Sequence, residues 1–164
     1  MPDVPLRAES RSAVWHLGGP ALLSALQFLK RTGEGRAISL WGSPSVTSLL
    51  VAEYLDRSGL PVVRWTPGTT ITAAGLDDLT APLPDSGGIV AVEDLPAAVG
   101  DLRGESYLQI AWDRRWSRRP VLLLLTGEGA PMREMVSYDR PLYGRATIVD
   151  LDAMVRDCEW TDGR

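Results

Sequence analysis

Glycine, hydroxyl and carboxylate residues stand at the ends of three apolar segments, where they could bind a phosphate group or a metal ion. These positions are Gly42, Thr47 and Ser48 after the first segment, Glu93 and Asp94 at the end of the second, and Thr126 at the end of the third. Glycine allows backbone N–H groups to converge on an anion, and a hydroxyl group can bind the magnesium that accompanies a phosphate. Paired carboxylates can hold the metal or polarise a water molecule.

A phosphate-binding loop also needs a lysine, and the position of the single lysine argues against one here. Lys30 precedes the first apolar segment and falls within a predicted helix. It cannot take the place of a lysine in the segment that follows Gly42. Any phosphate site in this chain would therefore depend on another cation.

The apolar segments and the helical periodicities between them predict an α/β fold. Helices are predicted over 20–31, 47–57, 96–102, 106–116 and 131–138, and strands over 36–41, 61–65, 88–93, 121–126 and 145–151. Residues 66–87 are predicted to form a surface excursion with one helical turn near Leu76. Strands separated by helices indicate a parallel five-stranded sheet with helices on both faces, in three layers. The most apolar strand, 121–126, is expected at its centre.

Composition sets the class of protein. The 164 residues fit one domain, predicted over 14–157, with a loose segment at 1–13 and a tail at 158–164. A net charge of −4 disfavours a general nucleic-acid coat. The N-terminus has no apolar segment typical of a signal peptide, and no apolar run could span a bilayer, so we expect a cytoplasmic protein with no membrane contact.

Metal and nucleophile chemistry have little support in the sequence. Cys158 is the only cysteine and His16 the only histidine, so neither a cysteine-based nor a histidine-based metal site is expected. A Gly-x-Ser-x-Gly elbow, which a serine nucleophile would need in an α/β hydrolase, does not occur. We expect both residues to be structural.

Three stretches, in order along the chain, resemble the archaeal-ATPase (DUF234-associated) family of AAA-like P-loop ATPases. Gly42, Val46 and the Thr47-Ser48-Leu49-Leu50 that follows match parts of that family's phosphate loop. Leu108 to Asp113 is similar to a helix after the family's third strand, and Pro141 to Thr147 (PLYGRAT) resembles its most recognisable segment. The resemblance implies a P-loop NTPase-like fold over residues ~14–151.

The departures from that family predict a loss of hydrolysis. The Gly-Lys pair of the loop is missing, Glu93-Asp94 stands where the family has Asp-Glu, and Glu128 adds negative charge near the expected triphosphate position. The family's winged-helix and C-terminal domains are also not found, so a degenerate and truncated member is expected. We predict a pseudo-ATPase without a cofactor or metal, in which Gly42, Thr47, Ser48, Glu93 and Asp94 are remnants. Its partner would be another protein, either an intact ATPase relative or a second copy, and the six tryptophans modestly favour such contacts.

Two alternatives stay open. A divergent nucleotide hydrolase could use Glu93, Asp94 and Thr126, with Arg36 or Arg145 in place of the lysine. A nucleic-acid-binding protein could use the basic cluster, which consists of Arg114, Arg115, Arg118 and Arg119 with Trp112 and Trp116 interleaved. At a helix end, such arginines also complement the helix dipole.

The segment Pro141 to Arg145 survives although the phosphate loop does not, which predicts a structural role. Pro141 and Gly144 would form the turn into the fifth strand, Tyr143 would pack beneath that turn, and Arg145 would pair with a carboxylate. If that pair is buried, loss of the arginine would cost about 3 kcal/mol.

Overall fold

The computed structural model describes residues 8–65, 71–99 and 102–161. In this part of the chain, every two successive strands are separated by at least one helix. The helices are α1 (Ala8–Thr32), α2 (Pro44–Ser58), α3 (Ala73–Thr80), α4 (Leu95–Val99), α5 (Leu102–Arg114), α6 (Gly129–Met135) and α7 (Leu151–Thr161), with a short 3-10 turn at Trp116–Arg118. The strands are β1 (Arg36–Trp41), β2 (Val62–Trp65), β3 (Gly88–Val92), β4 (Val121–Gly127) and β5 (Thr147–Asp150). None of the described helices is long and apolar enough to cross a membrane.

The five strands form one parallel sheet in the order β2-β3-β4-β1-β5. The predicted fold class is therefore confirmed. All seven residues of β4 are buried, and the strand lies at the centre, as its continuous apolar sequence predicted. All strands point the same way, so their carboxyl ends meet at one edge.

Alternate residues of each strand face two separate apolar cores. Leu122 and Leu124 of β4 pack with α1, α2 and α7, whereas Leu123 and Leu125 pack with α3 to α6. This period of two, with helices covering each face, gives the three layers. The tryptophans belong mainly to the interior: Trp41, Trp65, Trp112 and Trp116 are buried. They therefore lend little support to the predicted contact surface.

Helix α1 begins earlier than predicted and runs through Pro20, which was expected in its first turn. Gly18 explains why the helix continues across two glycines and a proline. A Cβ at Gly18 would lie 2.4 Å from Leu50 of α2 and 3.0 Å from Leu151, so close packing requires glycine here. The helix ends at Thr32, and Gly33, which follows it, has the left-handed φ of +69° that is typical of a glycine after a helix. Residues 8–13, predicted to be loose, lie inside α1, and residues 1–7 lie outside the described part of the chain.

The C-terminal elements also differ from the prediction. The fifth strand is shorter, because turns extend to residue 146 and β5 begins at Thr147. Helix α7 was missed; it includes residue 151, assigned to the strand, and 158–161, assigned to the tail. One helical turn was predicted near Leu76 in the surface excursion. The structure has an eight-residue helix there, α3, and Leu76 is buried. Residues 66–70 of that excursion lie outside the description.

Tyr54 of α2 is a buried polar residue in the core between α1, α2 and the sheet. Its side chain is fully buried, and its hydroxyl has no hydrogen-bond partner among the described residues. Burial raises the pKa of this phenol well above its ordinary value. The hydroxyl therefore stays neutral in the folded protein.

Candidate functional site

A cavity of about 250 Å³ opens at the carboxyl ends of the strands, between the start of α2 and the end of β3. This is where ligands bind in open parallel sheets. The residues that line it are Gly42, Pro44, Thr47, Ser48, Arg64, Glu93, Asp94, Thr126 and Gly127. The structure thus brings together the predicted residues Gly42, Thr47, Ser48, Glu93, Asp94 and Thr126. Arg64, which was not predicted from the sequence, joins them.

The connection between β1 and α2 is short, and its backbone donors are largely used within the helix. Only Gly42 and Ser43 separate the two elements, and Pro44, the first residue of α2, has no N–H group. The N–H groups of Val46 and Thr47 both donate to the carbonyl oxygen of Ser43, each at 3.0 Å. The N–H of Gly42 donates to Gly127 on β4, also at 3.0 Å. These donors are consequently not directed at a ligand.

The Thr47 hydroxyl points into the first turn of α2. It is buried and donates to the carbonyl oxygens of Ser43 and Pro44, at 3.2 and 3.4 Å. Ser48, the next residue, is exposed at the cavity. Of the two predicted hydroxyls, Ser48 is therefore the accessible one.

Arg64 and Glu93 form a multiply bonded ion pair at the cavity. Arg64 Nε lies 3.0 Å from Glu93 Oε2, and Arg64 Nη2 lies 2.6 and 2.7 Å from the two carboxylate oxygens. Arg64 projects from β2 and Glu93 immediately follows β3, and the pairing of Trp65 with Val92 in these neighbouring strands brings them together. The exposed fractions of the two side chains are 47% and 17%. The positive charge of Arg64 at this cavity is thus already paired with the Glu93 carboxylate.

Asp94 and Thr126 connect the ends of β3 and β4. The Asp94 N–H donates to the Thr126 hydroxyl at 3.3 Å, and Thr126 is buried. Asp94 has φ +50°, in the left-handed region that aspartate and asparagine tolerate better than other side chains. Its carbonyl accepts the N–H groups of Ala97 and Ala98 at the start of α4. Asp94 therefore begins a helix. Among the described residues, Glu93 is the member of the acidic pair whose side chain binds a cation.

Comparisons with solved structures agree with this architecture. The chain superposes on a Drosophila ORC structure with bound GC-rich DNA and Cdc6, with a TM-score of 0.57, 14% identity, and coverage of 92% of this chain and 62% of that one. It also superposes on a mutant of RuvB from Thermotoga maritima, with a TM-score of 0.54, 11% identity, and coverage of 92% and 51%. The chain therefore has a three-layer, P-loop-like α/β fold, which it shares with these structures. No protein-family model matches the sequence, and no curated protein does.

The similarity to these structures is in fold alone, at identities of 14% and below. The chain spans between half and two thirds of the length of these chains. The carboxyl-edge cavity lies where open parallel sheets place a ligand.

The cations considered as lysine substitutes lie away from this cavity. Lys30 is exposed in the last turn of α1. Arg36 begins β1 at the opposite edge of the sheet, with its guanidinium 3.6 Å from the centre of the Phe28 ring. Arg145 pairs with Asp113 of α5 at 3.0 Å. None of these three residues lines the cavity, so the predicted roles of Arg36 and Arg145 as phosphate-binding groups are wrong for this arrangement.

Glu128 lines a neighbouring cavity and not the one that holds Glu93. That second cavity, of about 410 Å³, is lined by Ser43, Glu128, Gly129, Ala130, Arg133, Asp150, Asp152 and Arg156. Across the described ranges, no group of three histidine, cysteine, aspartate or glutamate side chains could hold a metal ion. His16 is exposed on α1, and Cys158 falls within α7.

Half of the basic cluster is paired with acidic residues. Arg115 lies 2.5 Å from Asp77 of α3, and Arg119 lies 3.7 Å from Asp85. Trp112 and Trp116, which alternate with the arginines along the sequence, are buried. The cluster therefore lacks exposed aromatic rings on which nucleic-acid bases could stack.

The segment from Ser137 to Arg145 packs along α5 through a series of turns. Gly144 has φ +69°, as expected for a turn residue, and Arg145 pairs with a carboxylate as predicted. Tyr143 was expected beneath the turn, which is wrong: it is 49% exposed, and Leu142 is the buried residue. Tyr143 instead contacts the exposed ring of Tyr138 edge to face, with centroids 5.3 Å apart. The two rings form an exposed aromatic pair.

A second arginine of the same segment makes the stronger contact. Arg140 Nε donates to Glu105 Oε1 at 3.1 Å, and its Nη2 also contacts that carboxylate. The Glu105 side chain is 1% exposed and that of Arg140 24%. The hydrogen bond to Glu105 raises the pKa of Arg140 above its ordinary value. This buried pair could not be predicted from the sequence, in which Glu105 looks like an ordinary polar residue of a helix.

Proposed function

We propose that this chain is a pseudo-ATPase, a P-loop ATPase-like domain that acts through contacts with another protein. The observation that carries the proposal is the two-residue connection between β1 and α2. A phosphate cradle needs converging N–H groups and a lysine. At this connection Pro44 has no N–H, and Val46 and Thr47 donate to Ser43.

The electrostatics of the cavity support the same proposal. A triphosphate brings several negative charges, and the lining residues carry two carboxylates and one guanidinium. That guanidinium already binds Glu93. A nucleotide would have to displace this carboxylate and tolerate Asp94, and like charges at short distance are unfavourable.

Titration with Mg-ATP tests the absence of nucleotide binding. The melting temperature and tryptophan fluorescence are followed as ATP is added to the purified chain. A Kd of about 100 µM would stabilise the fold by about 2.7 kcal/mol at about 10 mM ATP. We expect no such shift, and a saturating rise in melting temperature would reject the proposal.

The finer identity follows from the sequence motifs. The resemblance of residues 42–50, 108–113 and 141–147 supports placement as a degenerate relative of the archaeal-ATPase (DUF234-associated) family. The partner would be an intact ATPase relative or a second copy of this chain, in the cytoplasm, with a regulatory or mobile-element role.

The exposed aromatic pair is the surface feature that favours protein contact. Tyr138 is 80% exposed and Tyr143 49%, and tyrosine is enriched where proteins bind each other. Affinity purification from the native host tests this with the unaltered chain and with Tyr138→Ser/Tyr143→Ser. An ATPase relative or the chain itself should be recovered with the first and lost with the second. The control Val62→Ser, an exposed apolar change on the distant strand β2, should retain it.

A divergent nucleotide hydrolase is a second candidate, because one cavity unites Arg64, Glu93, Asp94 and Thr126. In that case Arg64 would have to exchange Glu93 for phosphate. Metal-dependent ATP turnover that Glu93→Gln abolishes would support this function. No turnover at any magnesium or manganese concentration would reject it.

Nucleic-acid binding through the basic cluster is less favoured, because Arg115 and Arg119 pair with aspartates. The ORC structure that the fold resembles is bound to DNA. A gel shift that is present at about 50 mM salt and lost at about 200 mM would favour this function for the present chain.

A further inference from the structure

Arg64 is the one cation among the residues that line the carboxyl-edge cavity in the described part of the chain. It meets Glu93 with three N–O distances of 3.0 Å or less. The planar guanidinium binds carboxylate and phosphate oxygens through the same paired geometry. Glu93 thus occupies the position that an oxygen-rich anion would take on this arginine.

We propose that Glu93 is an internal ligand of Arg64, and that the cavity is a latent binding site for a phosphate-type oxyanion which this carboxylate keeps closed. The inference rests on the proposed function, because it explains how a nucleotide-type cavity persists in a chain that does not bind nucleotide. The contact is autoinhibitory in form: a side chain of the protein takes the place of the ligand.

The charges of the lining residues explain why the site is closed. Glu93 and Asp94 together outweigh Arg64, so the cavity carries a net charge of −1 from these three side chains. Neutralising both carboxylates makes the same cavity +1. The exposed Ser48 hydroxyl, which lines the same cavity as the freed guanidinium, is then a second possible donor.

Room for an anion is present. The cavity measures about 250 Å³, whereas a water molecule in the liquid takes about 30 Å³. The substitutions that reverse the charge also fit the backbone. Glu93→Gln keeps the side-chain length, and Asp94→Asn suits a residue with φ +50°.

The test uses pyrophosphate as the probe and isothermal titration calorimetry as the measurement. We expect Glu93→Gln/Asp94→Asn to bind pyrophosphate at least about tenfold more tightly than the unaltered chain, because like-charge repulsion is removed and Arg64 is released. The affinity should fall as salt is added. Adding Arg64→Gln to the double variant should abolish this increase in pyrophosphate affinity. Glu53→Gln is the matched control, since it frees Arg57 of an exposed pair on α2 and should leave binding unchanged.

Three outcomes would overturn the latent site, once circular dichroism shows that the variants are folded. The first is that the double variant binds pyrophosphate no more tightly than the unaltered chain. The second is that the affinity increases equally when Arg64 is also replaced. The third is that the unaltered chain already binds pyrophosphate as tightly as the double variant. The proposed function fails on a different result, namely Mg-ATP binding by the unaltered chain. If neither the unaltered chain nor the double variant binds any phosphate compound, only the latent site is rejected.

Discussion

Two arginine–carboxylate pairs join neighbouring elements of this fold, and they differ in how far they are removed from water. Arg140 holds the fully buried carboxylate of Glu105, whereas Arg64 holds Glu93 at the mouth of a cavity, with the arginine about half exposed. A buried charge that loses its partner is costly, and an exposed one can be solvated instead. The first pair is therefore a permanent part of the core boundary, and the second is exchangeable.

Arg140→Ala should have the largest effect, because it leaves the Glu105 carboxylate buried without its cation. We expect a loss of about 3 kcal/mol or more in the free energy of unfolding, measured by urea denaturation. The melting temperature should fall by at least about 6 °C for a chain of this size. A loss below about 1 kcal/mol would mean that water reaches Glu105, and the contrast between the two pairs would disappear.

Arg64→Ala should destabilise the protein by about 1 kcal/mol, since Glu93 can turn toward solvent at the cavity mouth. The same denaturation experiment measures it, with Arg57→Ala as the control for loss of an exposed arginine pair. A loss as large as that of Arg140→Ala would show that the cavity pair is structural and not exchangeable.

Tyr54→Phe tests a buried polar group that has no described partner at all. Removing the hydroxyl should stabilise the fold by up to about 1 kcal/mol, because the desolvation cost of an unpaired group disappears. Burial raises the pKa of Tyr54 in the folded state above its value in the unfolded state. The contribution of Tyr54 to the free energy of unfolding is therefore constant below about pH 10, and it falls above that pH as the phenol of the unfolded chain ionises. Unfolding measured between pH 8 and about pH 11 should show a smaller alkaline decline in Tyr54→Phe. If the free energy of unfolding falls equally in both proteins at alkaline pH, residues other than Tyr54 cause the fall.

Arg145→Ala should have the smallest effect. The side chains of Arg145 and Asp113 are 30% and 44% exposed, so the pair belongs with surface ion pairs, and the loss should be about 0.5 kcal/mol. The value of about 3 kcal/mol expected from sequence assumed a buried partner and is replaced. Melting curves of this variant and of Arg140→Ala should be compared side by side. The two arginines belong to one segment, and the difference in melting temperature should follow from the different burial of their carboxylate partners.

The sequence predicts the sheet well, because the signal for each inner strand is local. The apolar runs at β1, β3 and β4 and the turns that follow them locate the strands and the edge where the site residues gather. The prediction fails where distant packing decides the outcome. Gly18 and Pro20 look like a helix boundary, but α1 continues because Gly18 packs against Leu50 and Leu151.

Arg64 shows the same limit within the site. The alternation of Val63, Arg64 and Trp65 indicates that the arginine faces away from the core that holds Trp65. Its carboxylate partner is identified only when β2 pairs with β3, since Glu93 lies 29 positions later in the chain. The acidic residues were therefore predictable as members of the site, and the cation that binds one of them was not.

The strand order has a consequence for how the chain acquires its structure during synthesis. Strand β1 lies between β4 and β5. Arg36 pairs with Leu122 and Ile38 with Thr147, so β1 cannot pair with either neighbour until that later strand has been synthesised. At about 5 to 20 residues per second, the ribosome takes on the order of ten seconds to deliver β4. During that interval β1, which is buried in the finished fold, has neither of its two neighbours in the sheet. Pairing across so long a separation also slows folding. We therefore expect the sheet to form only after most of the chain has been made.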